Sequence, residues 1–196
     1  MKILLIADKT SPELYECYNA EKLRDIDLVI SCGDLPLYYM EFIVSMLNIP
    51  CCYVAGNHDK AFVRTPPPGW QTLDDRLIDH KGIVLMGLGG SMRYKPGPHQ
   101  YTEGEMSFRY MKMRPKLWLK KNRLDILVAH APAYGLGDLE SRPHKGFKVF
   151  RAIMERHEPK YFLHGHVHLN YSRYPRQMTH GNTKIINGYQ HHIFDF

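Results

Sequence analysis

Short apolar runs alternate with longer amphipathic segments in the first part of the chain. This alternation predicts three strands and two helices in the order β-α-β-α-β, at residues 2–7, 11–24, 27–31, 36–48 and 51–55. The segment Ser11-Pro12-Glu13 supplies an N-cap, a first-turn proline and an early acidic residue, which together open the first helix. Strands that alternate with helices favour a parallel sheet with right-handed crossovers.

The rest of the chain mixes strands, helices and longer loops. We predict a hairpin at residues 77–88, strands at 125–129 and 160–163, and helices at 103–122 and 147–157. The tail, residues 171–196, is predicted to form antiparallel strands. Thr102 and Glu105 have the spacing of a capping box, and Pro115 marks a kink or a join between two helices. The loop at 92–101 is rich in proline and glycine, which argues against regular structure. Five apolar side chains of the 103–122 helix are expected to face the core: Met106, Met111, Met113, Leu117 and Trp118.

Size and composition indicate an ordinary globular protein. With 196 residues, 44% of them hydrophobic and 23% charged, the chain is predicted to form a single domain over residues 1–196. The most apolar window, 35–55, is interrupted by Glu41 and Pro50, so it cannot supply the roughly 20 uninterrupted apolar residues of a membrane span. We therefore expect no membrane partner.

The cysteines and the first residues bear on the cellular compartment. The chain begins directly with a strand-like segment, without the pattern of a secretory leader. The cysteines show no C-x-x-C spacing, which favours buried reduced thiols over disulfides; they are Cys17, Cys32, Cys51 and Cys52. The expected location is the cytoplasm.

The net charge of the chain is positive. A formal charge of +6 and an isoelectric point near 9.1 mean that the surface attracts anions. This charge suits a phosphorylated substrate. It also permits a nucleic acid, but no basic patch interleaved with aromatic residues supports one.

Polar residues with ligand chemistry follow five of the apolar runs directly. The run ending at Val54-Ala55 is followed by Gly56-Asn57-His58-Asp59, and the other runs reach a carboxylate or an imidazole in the same way. Open α/β sheets place their sites at the carboxyl ends of their strands, so we expect these side chains to converge. They are Asp8, Asp34, Asn57, His130, His166 and His168. Oxygen and imidazole donors without a thiolate suit Mn²⁺, Fe, Zn²⁺ or Ni²⁺ better than Ca²⁺.

The order of these motifs resembles a known family. Gly33-Asp34, Gly56-Asn57-His58-Asp59, a later His130 and Gly165-His166-Val167-His168 are similar to the motifs of calcineurin-like metallophosphoesterases. The resemblance spans residues 8–168. It implies an α/β fold in which two mixed β-sheets pack together and are flanked by helices.

The resemblance also implies a set of roles. Two divalent transition metal ions, with manganese favoured, would be bridged by Asp34. One ion would be completed by Asn57, His130 and His166, and the other would be bound by Asp8 and His168. His58 and Asn57 would be the catalytic residues, and His58 would contact the phosphate and protonate the leaving group. Two cations roughly 4 Å apart can lower the pKa of a shared water from about 15.7 toward neutrality, and the resulting hydroxide would attack phosphorus.

The sequence departs from the family pattern at two places. Asp8-Lys9-Thr10 has threonine where the family usually has a metal-binding histidine, so one metal site loses a ligand. An open position admits substrate and nucleophile, but it equally describes a weak site. The residues after Asp34 lack the Asp and Arg of the family's protein phosphatases, which argues against close kinship with that branch.

The sequence allows several hypotheses about the activity and its substrate. The favoured hypothesis is hydrolysis of a phosphomonoester or phosphodiester of a small molecule or nucleotide. The alternatives are a catalytically weak or inactive protein that serves as a protein-binding scaffold, and a nuclease. Asp138, His144 and Arg93 are candidates for substrate contacts, with solvated loop charges as the competing explanation for each.

Overall fold

The strands and helices follow the alternation of the sequence. The computed structural model describes residues 1–172 and 174–196. Its strands are β1 (Lys2–Ala7), β2 (Leu28–Ser31), β3 (Cys51–Tyr53), β4 (Gln71–Thr72), β5 (Arg76–His80), β6 (Ile83–Leu88), β7 (Ser91–Met92), β8 (Gln100–Tyr101), β9 (Ile126–Ala129), β10 (Tyr161–His164), β11 (Gln177–His180), β12 (Thr183–Asn187) and β13 (Gln190–Asp195). Its helices are α1 (Pro12–Tyr15), α2 (Ala20–Leu23), α3 (Leu37–Leu47), α4 (Glu103–Leu119) and α5 (Lys148–His157), with short 3₁₀ helices at Lys60–Val63 and Arg142–His144.

Two mixed sheets form the centre of the structure. The first has the strand order β13-β1-β2-β3-β4, in which β13 is antiparallel to β1 and the other pairs are parallel. The second has the order β11-β12-β10-β9-β6-β5, in which only the two edge strands are antiparallel. The short strands β7 and β8 pair separately.

The alternation of side chains along each strand fixes the layers. Ile3 and Leu5 of β1 pack against residues of the second sheet such as Val128. Leu4 and Ile6 of the same strand point the other way, under α3. The outer face of the second sheet packs against α4 and α5. The central strands, which are buried on both faces, are almost continuously apolar, whereas the edge strands β5, β11 and β13 also carry polar side chains. The result is the predicted pair of mixed sheets flanked by helices, and this part of the prediction is confirmed.

The predicted helix at 11–24 is wrong. The chain instead forms two four-residue helices, α1 and α2. The side chain of Asn19 accepts hydrogen bonds from the backbone N–H groups of Glu21 and Lys22 at 2.9 and 3.4 Å. An asparagine that caps a new helix end competes with continuation of the previous helix, and this explains the break.

The helix α4 also differs from its prediction in length and orientation. It ends at Leu119 rather than at 122, and Pro115 lies within it. Met106, Met113 and Leu117 are buried as predicted, but Met111 and Trp118 are exposed. The capping box of Thr102 and Glu105 is present and marks the helix start.

The loop and the tail bring two smaller differences. The irregular loop predicted at 92–101 ends in β8, which pairs with β7. In the tail, β11 and β13 are antiparallel to their neighbours as predicted, while β12 runs parallel to β10. Arg173, which falls within the predicted tail, lies outside the described residues. No helix in the described part of the chain is both long and apolar enough to cross a bilayer.

Candidate metal centre

Five parallel strands end at one edge of the two sheets, and each presents a polar side chain there. The strands β1, β2 and β3 lead to Asp8, Asp34 and Asn57, and β9 and β10 lead to His130 and His166. The loops are joined directly, since the backbone N–H of Asp8 donates to Gly33 at 3.0 Å and that of Gly165 donates to His130 at 2.9 Å. One ligand atom from each of Asp34, His130 and His166 lies within 4.8 Å of the others.

Glycine is required where the loops of the first sheet approach each other. A Cβ atom on Gly33 would lie 2.4 Å from the backbone nitrogen of Gly56, and Gly33 has a φ of +92°. A Cβ atom on Gly56 would lie 2.1 Å from the Asp34 carboxylate. The glycines of the Gly-Asp and Gly-Asn-His-Asp motifs therefore allow the carboxylate of Asp34 to reach the centre.

Three of the predicted ligands have a left-handed backbone. The φ angles of Asp8, Asp34 and His166 are 66°, 57° and 68°. Such conformations cost free energy for residues other than glycine and persist only where the surrounding structure holds them. Both carboxylate oxygens of Asp8 accept from the backbone N–H of His166 at 2.9 Å, which holds two of these three loops together.

The tautomers of the two histidines leave lone pairs facing each other. His130 Nδ1 lies 2.7 Å from the carbonyl oxygen of Cys32, so it carries the proton and donates. His166 Nε2 lies 2.7 Å from the carbonyl oxygen of Pro143 and donates in the same way. In the neutral rings, His130 Nε2 and His166 Nδ1 are therefore both lone-pair atoms, and they lie 3.0 Å apart.

Two oxygen atoms lie close to the nitrogen of His130. The amide oxygen of Asn57 is 3.1 Å from His130 Nε2, and a carboxylate oxygen of Asp34 is 3.3 Å from it. Four electron-rich atoms thus converge in a buried space, and a cation in that space would satisfy all of them. The donor set of two imidazoles, one carboxylate and one amide oxygen suits a divalent transition metal. The residues present therefore fit the metal that their chemistry implies.

The electrostatics of the protein alone also favour positive charge here. Burial lowers the pKa of His130, but the charges of Asp34 and Asp8 and the bond to Asp34 outweigh it and raise the pKa to about 9. Burial raises the pKa of Asp34, while its interactions with His130 lower it more, to about 2. Burial raises the pKa of Asp8 to about 7. Without a metal ion, a proton on His130 takes the place of the cation.

An open pocket lies on one side of this centre. It is lined by Asp8, Asp34, His58, His144, His166, His168 and Tyr171. His58 is exposed, and its backbone N–H donates to Asp34 at 2.7 Å. The ring of His144 lies 5.1 Å from that of His166, and the ring of His168 stacks on Tyr189 at 4.7 Å. The structure thus brings together the six predicted metal ligands, His58 and His144.

Two predicted substrate contacts lie outside the lining of this pocket. Asp138 accepts from the backbone N–H groups of Gly135 and Gly146 at 2.9 and 3.0 Å, which shapes its own loop. Arg93 donates to both carboxylate oxygens of Glu105 at 2.7 and 2.8 Å. It lines a neighbouring basic depression with Lys95 and Arg142. The roles of Asp138 and Arg93 in binding substrate stay predictions.

Two groups of residues near the centre were not identified from the sequence as part of it. Tyr171 lines the pocket, and its hydroxyl lies 3.4 Å from His144 Nε2. A tyrosine three residues after His168 was the available signal. The second group is the arginine cluster, which consists of Arg109, Asp74 and Asp75. An arginine within the buried face of α4 was its signal.

The arginine cluster and Asp59 fix the Gly-Asn-His-Asp loop by accepting hydrogen bonds from backbone N–H groups. Asp74 accepts from the backbone N–H of Ala55 at 2.8 Å. Asp59 accepts from the backbone N–H groups of Asp34 and Gly56 at 2.8 and 2.7 Å, and burial raises the pKa of Asp59 to about 6. Asp59 therefore ties the loops of two predicted metal ligands, Asp34 and Asn57, together.

Two packed mixed sheets with carboxylate, amide and imidazole groups at their shared edge define a metallophosphoesterase-type fold. A sequence model described as calcineurin-like phosphoesterase matches residues 1–170, and the chain belongs to this family. The family predicted from the sequence is confirmed. Its members are phosphoester hydrolases that generally bind divalent metals, although some members are inactive.

Comparison with individual proteins adds one relative and several shared folds. UPF0046 protein T07D4.2 of Caenorhabditis elegans is 25% identical over 117 residues, which is 59% of this chain and 27% of that protein. The match thus covers about a quarter of the relative's length.

Solved structures share the fold at low sequence identity. One superposes with a TM-score of 0.70 at 17% identity, over 96% of this chain and 90% of its own. The protein TT1561 of Thermus thermophilus gives 0.62 at 16% identity, over 95% of this chain and 88% of its own. GAP50 of Plasmodium, the anchor in the inner membrane complex, gives 0.59 at 10% identity, over 95% and 70%. At these identities the likeness extends to the fold alone.

Proposed function

We propose that this protein is a metal-dependent phosphoesterase that hydrolyses a phosphomonoester or phosphodiester of a small molecule or nucleotide. The observation that carries the proposal is the convergence of four lone-pair atoms, from His130, His166, Asn57 and Asp34, beside an open pocket. A buried cluster of this kind costs free energy unless a cation occupies it. The pocket gives a phosphate group access to that cation.

The chain offers ligands for two ions. Asp34, Asn57, His130 and His166 would hold one ion, and Asp8, Asp34 and His168 would hold a second on the pocket side. Divalent ions bound there would neutralise phosphoryl oxygens and lower the pKa of coordinated water. Manganese is the favoured ion, with iron, zinc and nickel compatible with the same donors.

His58 would act as the general acid. Its imidazole lies at the exposed side of the pocket, and its backbone is fixed by the hydrogen bond to Asp34. A histidine so placed can give a proton to the oxygen of the departing alcohol. Because the backbone of His58 is hydrogen-bonded to the proposed metal ligand Asp34, the proton donor keeps a fixed position relative to the centre.

His144 and Tyr171, which also line the pocket, would bind the rest of the substrate. His144 is held by Ser141, whose hydroxyl lies 2.8 Å from His144 Nδ1, so that Nε2 faces Tyr171. The neighbouring basic depression with Arg93, Lys95 and Arg142 would attract a further anionic group. Asp138 would act by holding the loop between Gly135 and Gly146.

Metal depletion and reloading test the proposal. The protein is stripped with a chelator, reloaded with Mn²⁺, Fe²⁺, Zn²⁺ or Ni²⁺, and assayed on bis(p-nitrophenyl) phosphate and p-nitrophenyl phosphate. We expect turnover of at least one substrate to appear only with metal. A folded, metal-loaded protein without turnover on either substrate would instead favour the non-catalytic scaffold.

A variant of His58 distinguishes the role of the proposed general acid from that of the proposed metal ligands. His58→Asn should lower kcat by roughly 10² to 10⁴, the usual contribution of general acid–base catalysis, and leave metal binding unchanged. His180→Asn, on the edge strand β11 where the histidine contacts Glu155, is the matched control and should retain full activity. Loss of metal from His58→Asn would contradict the role given to His58.

A further inference from the structure

Helix α4 carries apolar side chains on two opposite faces. The inner face, formed by Met106, Tyr110, Met113 and Leu117, is buried against the second sheet. The outer face consists of Phe108, Met111, Trp118 and Leu119, whose side chains are 57%, 57%, 70% and 75% exposed. An ordinary surface helix is polar on the side away from the core. The outer face therefore lacks the polar character that contact with water alone would favour.

The part of the chain from Met106 to Leu124, which includes the outer face, has no acidic residue. Between Glu105 and Asp125 the sequence contains seven Lys and Arg residues and neither Asp nor Glu. Arg109 is buried in the arginine cluster, Lys120 pairs with Asp79 at 2.8 Å, and Arg123 pairs with Asp125 at 2.9 Å.

Four cations remain around the outer face. They are Lys112, Arg114, Lys116 and Lys121, all of them exposed, and none forms a salt bridge within the residues that the structure describes. The ammonium group of Lys112 lies 4.4 Å from the ring centre of Phe108, so charge and apolar surface are interleaved.

The charge of this surface decides which occupant fits it. A second copy of the chain would bring four cations against four cations, which opposes a symmetric contact through this face. A partner must therefore carry negative charge. It must also accept a convex row of large apolar side chains, because the outer face is the ridge of a helix and not a groove. A lipid surface with anionic headgroups meets both requirements, since its headgroup region deforms around such side chains.

We propose that the outer face of α4 docks on the surface of an anionic lipid bilayer. Trp118 and Leu119 enter the headgroup region, where tryptophan is favoured, and the four cations lie above anionic headgroups. The contact is peripheral, because no helix among the described residues can span a bilayer. This docking differs from the sequence-based expectations of no membrane partner and of a core position for Trp118. It stands independently of the proposed phosphoesterase activity.

Vesicle binding of the full chain tests the proposal. The protein is sedimented with phosphatidylcholine vesicles that contain or lack phosphatidylglycerol, and its tryptophan emission is recorded. We expect binding and a blue shift of the emission only with phosphatidylglycerol, and weaker binding as salt is raised. The chain has two tryptophans, and Trp70 is buried. Trp118→Phe should therefore abolish the shift while vesicle binding is largely retained.

Two double variants separate the apolar and the charged contributions. Trp118→Ser with Leu119→Ser should abolish sedimentation with vesicles. Lys112→Gln with Lys116→Gln should weaken it at least on the order of tenfold, since each basic residue near an anionic surface strengthens binding roughly fivefold. The control is Tyr38→Ser with Val63→Ser, which removes side chains 55% and 61% exposed elsewhere and should leave binding unchanged. All variants alter exposed positions, and their unfolding midpoints verify that they fold.

Three outcomes would overturn the proposal. The first is a folded protein that fails to bind phosphatidylglycerol vesicles. The second is a Trp118→Ser, Leu119→Ser variant that binds them as well as the parent does. The third is occupancy by another partner: dimerisation in light scattering that this variant abolishes would indicate a second copy. Binding to poly-glutamate without binding to vesicles would likewise indicate an acidic protein.

Discussion

Two polar clusters, one around the buried Arg109 and one around the buried His130, adjoin the Gly-Asn-His-Asp loop, and they balance their charges in different ways. In the arginine cluster, the guanidinium of Arg109 donates to Asp74, Asp75 and the carbonyl oxygen of Gly89 at 3.2, 2.8 and 2.7 Å. It also stacks over the ring of Tyr101 at 4.2 Å. Every carboxylate of this cluster has a cation that belongs to the chain.

The candidate metal centre has carboxylates and imidazoles but no such fixed cation among the described residues. Asp34 and His130 face each other with Asn57 and His166, and only a proton or an added ion can supply the positive charge. One cluster thus carries its own arginine, whereas the other would accept an exchangeable ion. The first cluster should be needed for stability, and the second for chemistry.

The largest effect is expected from removing the charge at the metal centre. Asp34→Asn keeps the shape of the side chain but removes the carboxylate shared by both proposed ions. Phosphoesterase turnover should fall by roughly 10³ or more, because the electrostatic stabilisation of the transition state depends on the bound cations. Stabilisation of the protein by added Mn²⁺, measured as a shift in Tm, should disappear.

A surface carboxylate serves as the control for this variant. Asp79→Asn removes an exposed charge that pairs with Lys120 and should preserve both turnover and the metal-induced shift. If Asp34→Asn bound metal as tightly as the parent, the centre would have been assigned to the wrong residues.

The second largest effect should come from removing the fixed cation of the arginine cluster. Arg109→Met leaves Asp74 largely buried without its partner, which should lower the free energy of unfolding by about 3 kcal/mol. Arg109→Lys keeps the positive charge but lacks the several N–H donors of the guanidinium, so the free energy of unfolding should fall by less than in Arg109→Met. Denaturant unfolding measures both.

Metal content measured in the same variants distinguishes the two clusters. Arg109→Met should still bind metal, because Arg109 contacts no predicted ligand directly. A variant that keeps its stability but loses its metal would contradict the division of roles between the two clusters.

The sequence indicates that the predicted metal ligands converge, because the signal for each of them is local. Each ligand follows an apolar run, and parallel strands bring their carboxyl ends to one edge, so Asp34 and His130 could be placed together without coordinates. The two-sheet fold came from the resemblance of the motifs to a family, and the family match confirms it.

The features that the sequence did not predict depend on contacts between distant segments. Asp74 and Arg109 are 35 residues apart, and neither residue alone indicates a pair. The two apolar faces of α4 have the same helical spacing, so the pattern could not tell which face is buried and Trp118 was assigned wrongly. The break between α1 and α2 depends on one asparagine side chain, a local effect weaker than the helical pattern around it.

A smaller effect is expected from pH in the metal-free protein. The pKa of Asp8 is raised from 3.8 to about 7, so the folded state binds more protons than the unfolded state between these values, and stability falls as pH rises through them. The raised pKa of His130, about 9 against 6.5, extends the same fall to higher pH. The lowered pKa values of Asp34, His164 and His166 act oppositely, that of Asp34 only below about pH 4 and those of the two histidines below about pH 7. Above about pH 7 the contribution of His130 dominates, so the Tm of chelator-treated protein should fall by several degrees from about pH 7 to pH 9.

Bound metal should counteract the fall in Tm with rising pH. Binding of a cation displaces the protons of His130 and Asp8, so affinity increases with pH and the difference in Tm between metal-loaded and metal-free protein should widen. In Asp34→Asn the fall in Tm above about pH 6.5 should be reduced, because the chief charge that raises the pKa of His130 is gone. An equal slope with and without metal would show that these groups do not share the site with the ion.

The smallest effect should come from adding a ligand to the second proposed ion. Thr10→His restores an imidazole at the position where the family usually has one, beside a site that otherwise offers Asp8, Asp34 and His168. We expect the weaker ion to bind about tenfold more tightly, with little change at the ion held by Asn57, His130 and His166. Elemental analysis after dialysis against limiting Mn²⁺ measures the change, and Thr10→Val controls for loss of the hydroxyl. If stoichiometry and affinity stay the same, the carboxylate of Asp8 acts through its bond to the His166 backbone, and the centre works with a single ion.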